Sequence, residues 1–380
     1  MPDCRDYKSF MVMDVLDRAS ELEHQGNHII HLEIGEPDFD TPKCVKDAAL
    51  KAMQDNKTHY TASMGIIELR EAICENYKIK YCVDICPEQI FVTSGTSPAL
   101  LLAFSPILKN NEKVLLSNPH YACYPNFIKY AGGTPVCIDV LEENGFQLDI
   151  DQLTSHIDRN TQAILINSPS NPTGQVISVE HLKSIANLGI TVVSDEIYHG
   201  LTYAGDADSI LQHTDNCFVL NGFSKLYAMT GWRIGYIIVP KKFATTISKL
   251  NQSFFICAGS VAQWAAVAAL KNADADIEHM RKTYNERRKL MIHKLRELGF
   301  TISVEPTGAF YVFVKAEHLK LGHDSLKLAF DILEKAHVGV TPGVDFGTKG
   351  EGHLRFSYAN SVENIEEGLI RLAKYIEQQD

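Results

Sequence analysis

This chain of 380 residues predicts an α/β fold: a large, mostly parallel sheet of seven strands covered on both faces, joined to a smaller α+β unit. Three observations carry that expectation. Between 89 and 239 short apolar runs recur at 90–93, 113–117, 135–140, 163–167, 190–194, 217–221 and 235–239, each bounded by turn residues. Helical patterns separate several of them, as at 97–108 and 179–188. Beyond 276 the pattern changes: an amphipathic helix over 276–298 leads into strands at 308–314 and 353–358, mixed with helices at 325–336 and 361–377.

In chain order, Met13, Leu16, Ala19 and Leu22 recur at helical spacing within 11–25. Ile29 to Ile34 reads as a short strand, and Gly35-Glu36-Pro37-Asp38-Phe39-Asp40-Thr41-Pro42 is turn chemistry. Helices are expected at 43–55 and 66–80, with Tyr60 to Gly65 between them. The resulting division is an N-terminal segment over 1–40 packed with the C-terminal part, a large domain over 41–275 and a small domain over 276–380.

Composition narrows the function classes. The formal net charge is −11 and no basic run occurs, which disfavours a nucleic-acid partner, since neutralising phosphates needs clustered Lys and Arg. No stretch of about 18 apolar residues is present to span a bilayer, and Met1 to Lys8 lacks the apolar core of a signal peptide. The nine cysteines are scattered and odd in number, and Cys82 and Cys86 have no matching pair downstream. They read as reduced thiols in a cytoplasmic protein, with no metal site. No Gly-x-Gly-x-x-Gly follows the first strand of the sheet and no Walker loop occurs; Gly347, Gly350 and Gly352 have the wrong spacing. Nicotinamide and ATP chemistry are therefore disfavoured.

Ligands of such sheets bind beyond the carboxyl ends of the strands, so the loops there hold the candidate residues. Thr93-Ser94-Gly95-Thr96-Ser97 opens a helix, where backbone N–H groups and the Thr96 and Ser97 hydroxyls suit either an oxyanion or simple N-capping. Tyr121 is an aromatic residue beyond a strand end, fit to stack on a planar ring or to fill the core. Asn171, in the rigid turn Ser168-Pro169-Ser170-Asn171-Pro172-Thr173-Gly174, either aims its amide at a ligand or serves the turn. Asp195 comes directly off a buried run, where a carboxylate needs a cationic partner unless it caps the next turn; Glu196 beside it diverges and does not form an acid/base pair with it. The stretch Gly222-Phe223-Ser224-Lys225-Leu226-Tyr227-Ala228-Met229-Thr230-Gly231-Trp232-Arg233 follows another buried run. A lysine so placed can form a Schiff base with a carbonyl, and a nearby arginine can clamp a phosphate. Pyridoxal phosphate asks for both.

Taken as an ordered set, Gly35-Glu36-Pro37-Asp38-Phe39, Ser170-Asn171-Pro172-Thr173-Gly174, Asp195-Glu196-Ile197-Tyr198, the Lys225 stretch and Arg355-Phe356-Ser357-Tyr358-Ala359 make the chain resemble the class I/II aminotransferases. These are fold type I pyridoxal-phosphate enzymes, and the likeness is to the aspartate-aminotransferase-like subgroup over nearly the full length. The resemblance implies a role for each site residue. Lys225 would be the Schiff-base lysine and proton shuttle, and Asp195 would pair with the pyridine nitrogen. Asn171 and Tyr198 would meet the ring's phenolic oxygen, and Tyr121 would stack on the ring. Gly95, Thr96, Ser97 and Arg233 would cradle the phosphate, helped by Tyr60 from the other subunit of a homodimer with shared sites. Arg355 would take the substrate α-carboxylate, with Asn171 and the Gly35 backbone completing the substrate site.

Two positions depart from the pattern. Gly222 stands where many members carry a phosphate-binding Ser or Thr, a role open to Ser224, and Phe10 to Asp14 differ from the Ser-Pro-Thr common in the aspartate and prephenate enzymes.

The implied reaction is transfer of an amino group from an amino acid to a 2-oxo acid by ping-pong kinetics. The same cofactor, Lys, Asp and Arg would also serve a β-lyase, synthase or decarboxylase. A ligand-sensing transcription regulator of this fold would carry a basic DNA-binding domain ahead of it. The acidic balance, with about forty residues before the large domain, disfavours that reading. Phe10, Met13, Phe254 and Phe255 would suit a pocket for apolar or aromatic side chains, and no second cation for an acidic side chain is identifiable.

Overall fold

A computed structural model of the protein describes residues 7–378. Residues 1–6, with Cys4 and most of the stretch read for a signal peptide, lie outside the described residues, as do 379–380. The chain begins with helix α1 (Met11–His24), which buries Val12, Val15, Ala19 and Leu22 along one stripe. Strand β1 follows at Ile30–His31, shorter than the run Ile29 to Ile34 suggests, because the backbone beyond it leaves its partner strand.

Seven strands then build one sheet: β2 (Ile90–Thr93), β3 (Lys113–Asn118), β4 (Thr134–Asp139), β5 (Thr161–Asn167), β6 (Thr191–Asp195), β7 (Cys217–Gly222) and β8 (Gly235–Ile238). Their order is β2-β8-β7-β6-β5-β3-β4. Strand β8 is antiparallel to both neighbours and the other pairings are parallel. It follows that β2, β3, β4, β5, β6 and β7 all end on the same edge. The inner runs are mostly apolar because both faces are covered, and alternate residues serve opposite faces, whereas the edge strand β4 is largely half-buried or exposed. Ile90, Leu115, Ile164 and Val219 enter one core cluster; Phe91, Val114, Leu165 and Phe218 enter the other.

The remaining strands are β9 (Tyr311–Lys315), β10 (Val338–Gly339), β11 (Thr341–Pro342) and β12 (His353–Ser357). Strands β11, β12 and β9 form an antiparallel sheet, and β10 pairs parallel with β1. The N-terminal segment is tied to this part by Ser357 N–H to Leu32 O at 2.7 Å and by Leu32 N–H to Gly339 O at 3.0 Å. The helix Asp274–Glu297 carries Asp274 and Asp276 in its first turn and Lys294 and Arg296 in its last, the arrangement that complements the helix dipole.

Several helices escaped the periodicity argument. The helix Ser260–Asn272 packs on Lys43–Gln54 and buries Gln263, Ala265, Ala266, Ala268 and Ala269. Small residues round most of its circumference leave no polar face to betray its period. Tyr124–Tyr130 and Ile150–Ser155 are too short for a clear repeat. The helix expected at 97–108 ends at Phe104. No helix among the described residues is long and apolar enough to cross a membrane.

Candidate active site

Of the six strand ends on this edge, those of β2, β3, β5, β6 and β7 open into a cavity of about 430 Å³. Gly35, Thr96, Ser97, Tyr121, Asn171, Asp195, Tyr198, Lys225, Arg233 and Arg355, far apart in the chain, all line it. Gly95 borders it: its φ is 93°, and a β-carbon there would strike the Arg233 guanidinium. Two expected residues behave otherwise. Tyr60 is 83% exposed and does not line the cavity of its own chain. Phe254 and Phe255 are absent from the lining, and Phe254 is exposed.

Strands β6 and β7 are neighbours in register, Asp195 opposite Leu220, which brings Asp195 and Lys225 to one place. The Lys225 amine donates to Gly35 O at 2.5 Å and faces the Phe310 ring at 5.8 Å. Burial pulls this amine from 10.5 down to about 8, with Arg355 and Arg233 adding to the effect and Glu36 and Asp195 opposing it. The Asp195 carboxylate accepts the Tyr124 hydroxyl at 2.8 Å and the Ile197 N–H at 3.2 Å. Burial still pushes it up to about 6, against those two bonds and Lys225. Glu196 points elsewhere, accepting from Ser194, Ser209 and the Ile210 N–H, so the two neighbouring carboxylates do diverge.

A stability prediction follows from the amine. Its folded pKa of about 8 lies below the unfolded 10.5, so its desolvation cost is full below about pH 8 and disappears as pH rises through 10.5. Lys225→Met, prepared without added cofactor, is expected to be more stable than the parent at pH 7 by roughly 2–3 kcal/mol. The advantage should fade towards pH 10.5 in a denaturant titration. An equal advantage at both ends would contradict a buried, charged amine.

Arg355 is 2% exposed on β12. Its Nη1 donates to Asn171 Oδ1 at 2.8 Å, and its Nη2 to Glu33 O at 2.6 Å and Thr341 Oγ1 at 3.0 Å. The guanidinium lies 4.2 Å from the Tyr311 ring centroid, and Nε has no partner. A buried guanidinium held by neutral acceptors, with one N–H unspent, is a receptor for an oxyanion. Across the cavity, Arg233 adopts φ 52°, which costs a non-glycine residue on the order of 1 kcal/mol, and donates to Thr230 O at 2.9 Å. Thr230 in turn donates to Glu36.

Sequence reasoning missed several contributors. Tyr124 lies three positions beyond Tyr121, but only the structure shows its hydroxyl on Asp195. Tyr311 pairs with Tyr198 hydroxyl to hydroxyl at 2.8 Å, and a β-carbon on Gly35 would collide with it. At the departure from the pattern, Gly222 pairs with Gly235, and a β-carbon would sit 3.0 Å from Gly235 Cα. Ser224 lines the cavity instead. Eight cysteines are free thiols, and among the described residues no group of three His, Cys, Asp or Glu could hold a metal ion.

The donor set fits pyridoxal phosphate on three observations. One is a cavity amine of lowered basicity beside a buried carboxylate with no cation hydrogen-bonded to it. Another is a glycine whose missing β-carbon leaves room beside Arg233 and the hydroxyls of Thr96 and Ser97. The third is a separate guanidinium for a carboxylate.

Residues 27–372 match the family model described as aminotransferase class I and II. The chain is 43% identical over 375 residues, 98% of each chain, to the (5-formylfuran-3-yl)methyl phosphate transaminase of Methanocaldococcus jannaschii. It is 37% identical over 361 residues, 92% of each chain, to aromatic-amino-acid aminotransferase 2 of Thermococcus litoralis. The solved structure of Thermus thermophilus aspartate aminotransferase with maleate superposes with a TM-score of 0.93 at 37% identity, covering 97% of each chain.

Proposed function

Because this chain belongs to the class I and II aminotransferases, enzymes that depend on pyridoxal phosphate and move an amino group from an amino acid to a 2-oxo acid by a ping-pong mechanism, we propose a role for each cavity residue. The observation that carries the assignment is the meeting, in one cavity, of a low-basicity amine, a buried carboxylate and a separate buried guanidinium. Bound there, pyridoxal phosphate supplies an aldehyde to carry the amino group and a ring to accept electrons.

Gly95, Thr96, Ser97 and Arg233 hold its phosphate, with Ser224 in place of the hydroxyl absent at Gly222. Tyr121 would stack on the ring, and Asn171 and Tyr198 would meet its oxygen. Asp195 would pair with the ring nitrogen and favour its protonated form, as an adjacent opposite charge does by about 1–3 pKa units. Lys225 Nζ, near neutrality in basicity, takes the proton from the substrate α-carbon and would deliver it to the carbon of the cofactor's aldehyde group, the reverse transfer serving the second half-reaction. Arg355 fixes the α-carboxylate, with the Gly35 backbone beside it, and so orients the bond that breaks.

The same reading has a large domain over 41–275, a small domain over 276–380 and residues 1–40 packed with the latter. It also has a homodimer in which exposed Tyr60 completes the partner's phosphate cradle, and a cytoplasmic setting that suits the free thiols.

Purified protein given pyridoxal phosphate should show a visible absorbance band that shifts on adding an amino donor and is restored by a 2-oxo acid, and it should sediment at twice the chain mass. A band that donors leave unmoved would refute the cofactor roles, and a monomer would refute the shared site. Arg355→Lys keeps the charge and loses the planar fork. It should raise the donor KM by about tenfold to a hundredfold with a smaller change in kcat. An unchanged KM would remove Arg355 from the substrate site.

A further inference from the structure

The relatives' names disagree on the substrate, but the cavity carries its own statement. We propose that Asp345 is a positioning residue for donor specificity. It holds the first turn of α1 as an apolar wall, so that donors with apolar or aromatic side chains are preferred over acidic ones. This rests on the transaminase reading above.

Phe10, Val12, Met13 and Leu16, from the first turns of α1 and the residue before it, line the cavity together with Leu100 and Tyr121. Phe10 meets Tyr121 edge to face at 5.8 Å, which joins α1 to the proposed ring-stacking residue. The cations lining the cavity are Lys225, Arg233 and Arg355. The proposed chemistry commits one to proton transfer, one to the phosphate and one to the α-carboxylate. Among the described residues of this chain none is left for a second carboxylate on the donor, whereas the α1 wall offers an apolar side chain a dry surface.

The wall needs support, because α1 has no side-chain cap of its own: its N-cap residue is Phe10. Asp345 supplies the cap from more than 300 residues away. Its two oxygens accept the Met11 N–H at 3.0 Å and the Val12 N–H at 3.2 Å. Asp345 is itself only 8% exposed and sits on a short helical turn, Gly343–Phe346, that is pinned from several sides. His120 N–H donates to Phe346 O at 2.9 Å, Val344 N–H to Ser325 Oγ at 3.0 Å, and Asn118 Nδ2 to Thr348 Oγ1 at 2.8 Å. The cap is thus a fixed post, and the first turn of α1 hangs from it.

The test uses the cofactor-loaded enzyme, its Asp345→Ala and Asp345→Asn variants, and phenylalanine, leucine, alanine, aspartate and glutamate as donors. The parent should favour phenylalanine and leucine over both acidic donors in kcat/KM by at least about a hundredfold. Asp345→Ala should lose about tenfold more kcat/KM for phenylalanine than for alanine, the difference lying in KM. Asp345→Asn should recover part of it, since its amide oxygen can still accept one N–H.

Amide hydrogen exchange reads the post without any turnover: Met11 and Val12 should lose protection in Asp345→Ala while strand β7 keeps its own. A parent that prefers aspartate or glutamate would overturn the specificity. Equal losses for every donor at constant KM, or unchanged exchange at Met11 and Val12, would overturn the post. Turnover with no donor at all would sink the transaminase reading and the specificity with it, while the exchange result still decides the post.

Discussion

Lys225→Ala is expected to lower turnover by about 10⁴-fold or more, as losing a group that acts both as base and as anchor usually does. Lys225 is the lysine among the residues lining the cavity, and the Glu36 carboxylate there is taken by the Thr230 hydroxyl. The Tyr198 and Tyr311 hydroxyls are both held above their ordinary range, chiefly by burial, and are poor bases in the neutral range only because they stay protonated. Asp195 is occupied by Tyr124 and the Ile197 N–H. Folding is not at risk, since the substitution removes a group that burial disfavours in its charged form. Single-turnover kinetics on a variant with parental circular dichroism is the measurement, and a loss of less than about tenfold would strike Lys225 from its proposed part.

Asp195→Asn should cost about a hundredfold in kcat, within the tenfold to thousandfold span that a shift of 1–3 pKa units on the facing group implies. The donor KM should move little, because Arg355 and its acceptors Asn171, Glu33 O and Thr341 are untouched. The side-chain oxygen of asparagine can still accept from one of the two donors that Asp195 serves, Tyr124 and Ile197, so the local fold should persist. If kcat stays within about threefold of the parent while cofactor remains bound, the electrostatic role given to this carboxylate is wrong. Both residues are ionisable groups that burial works against. Their cost is understandable at a site that needs perturbed acids and bases, and hard to explain in a structural core.

The inner runs of the sheet were readable because a strand covered on both faces is mostly apolar, a signal that needs no partner to interpret, and the edge strand β4 by its place in the same alternation. The loops after them were readable for a related reason. Gly95, Asn171, Asp195 and Lys225 are polar or small residues at places where a buried run stops abruptly. What stayed hidden depends on distance in the chain. Nothing near Tyr124 announces that its hydroxyl meets Asp195, 71 positions away. Asn171 reaches Arg355 from a turn and Thr341 from the short strand β11, and Asp345 caps a helix whose N-cap residue makes no side-chain cap. The helix Ser260–Asn272 was lost because burial on nearly every side erases the periodic contrast that a half-exposed helix would show.

The parallel pairing of β1 with β10, Ile30 against Val338, carries a consequence for how the protein is made. The ribosome releases residue 30 long before residue 338 exists, so the first segment must wait, unpaired, through nearly all of translation. Arg355, the proposed carboxylate anchor, and the proposed post Asp345 emerge later still. During synthesis the central sheet can form with its lysine and aspartate in place, yet the part proposed to grip a substrate is assembled last. Such long-separated contacts slow folding, and here they also delay competence: a nascent chain has the reactive amine before it has any means of choosing what to react with.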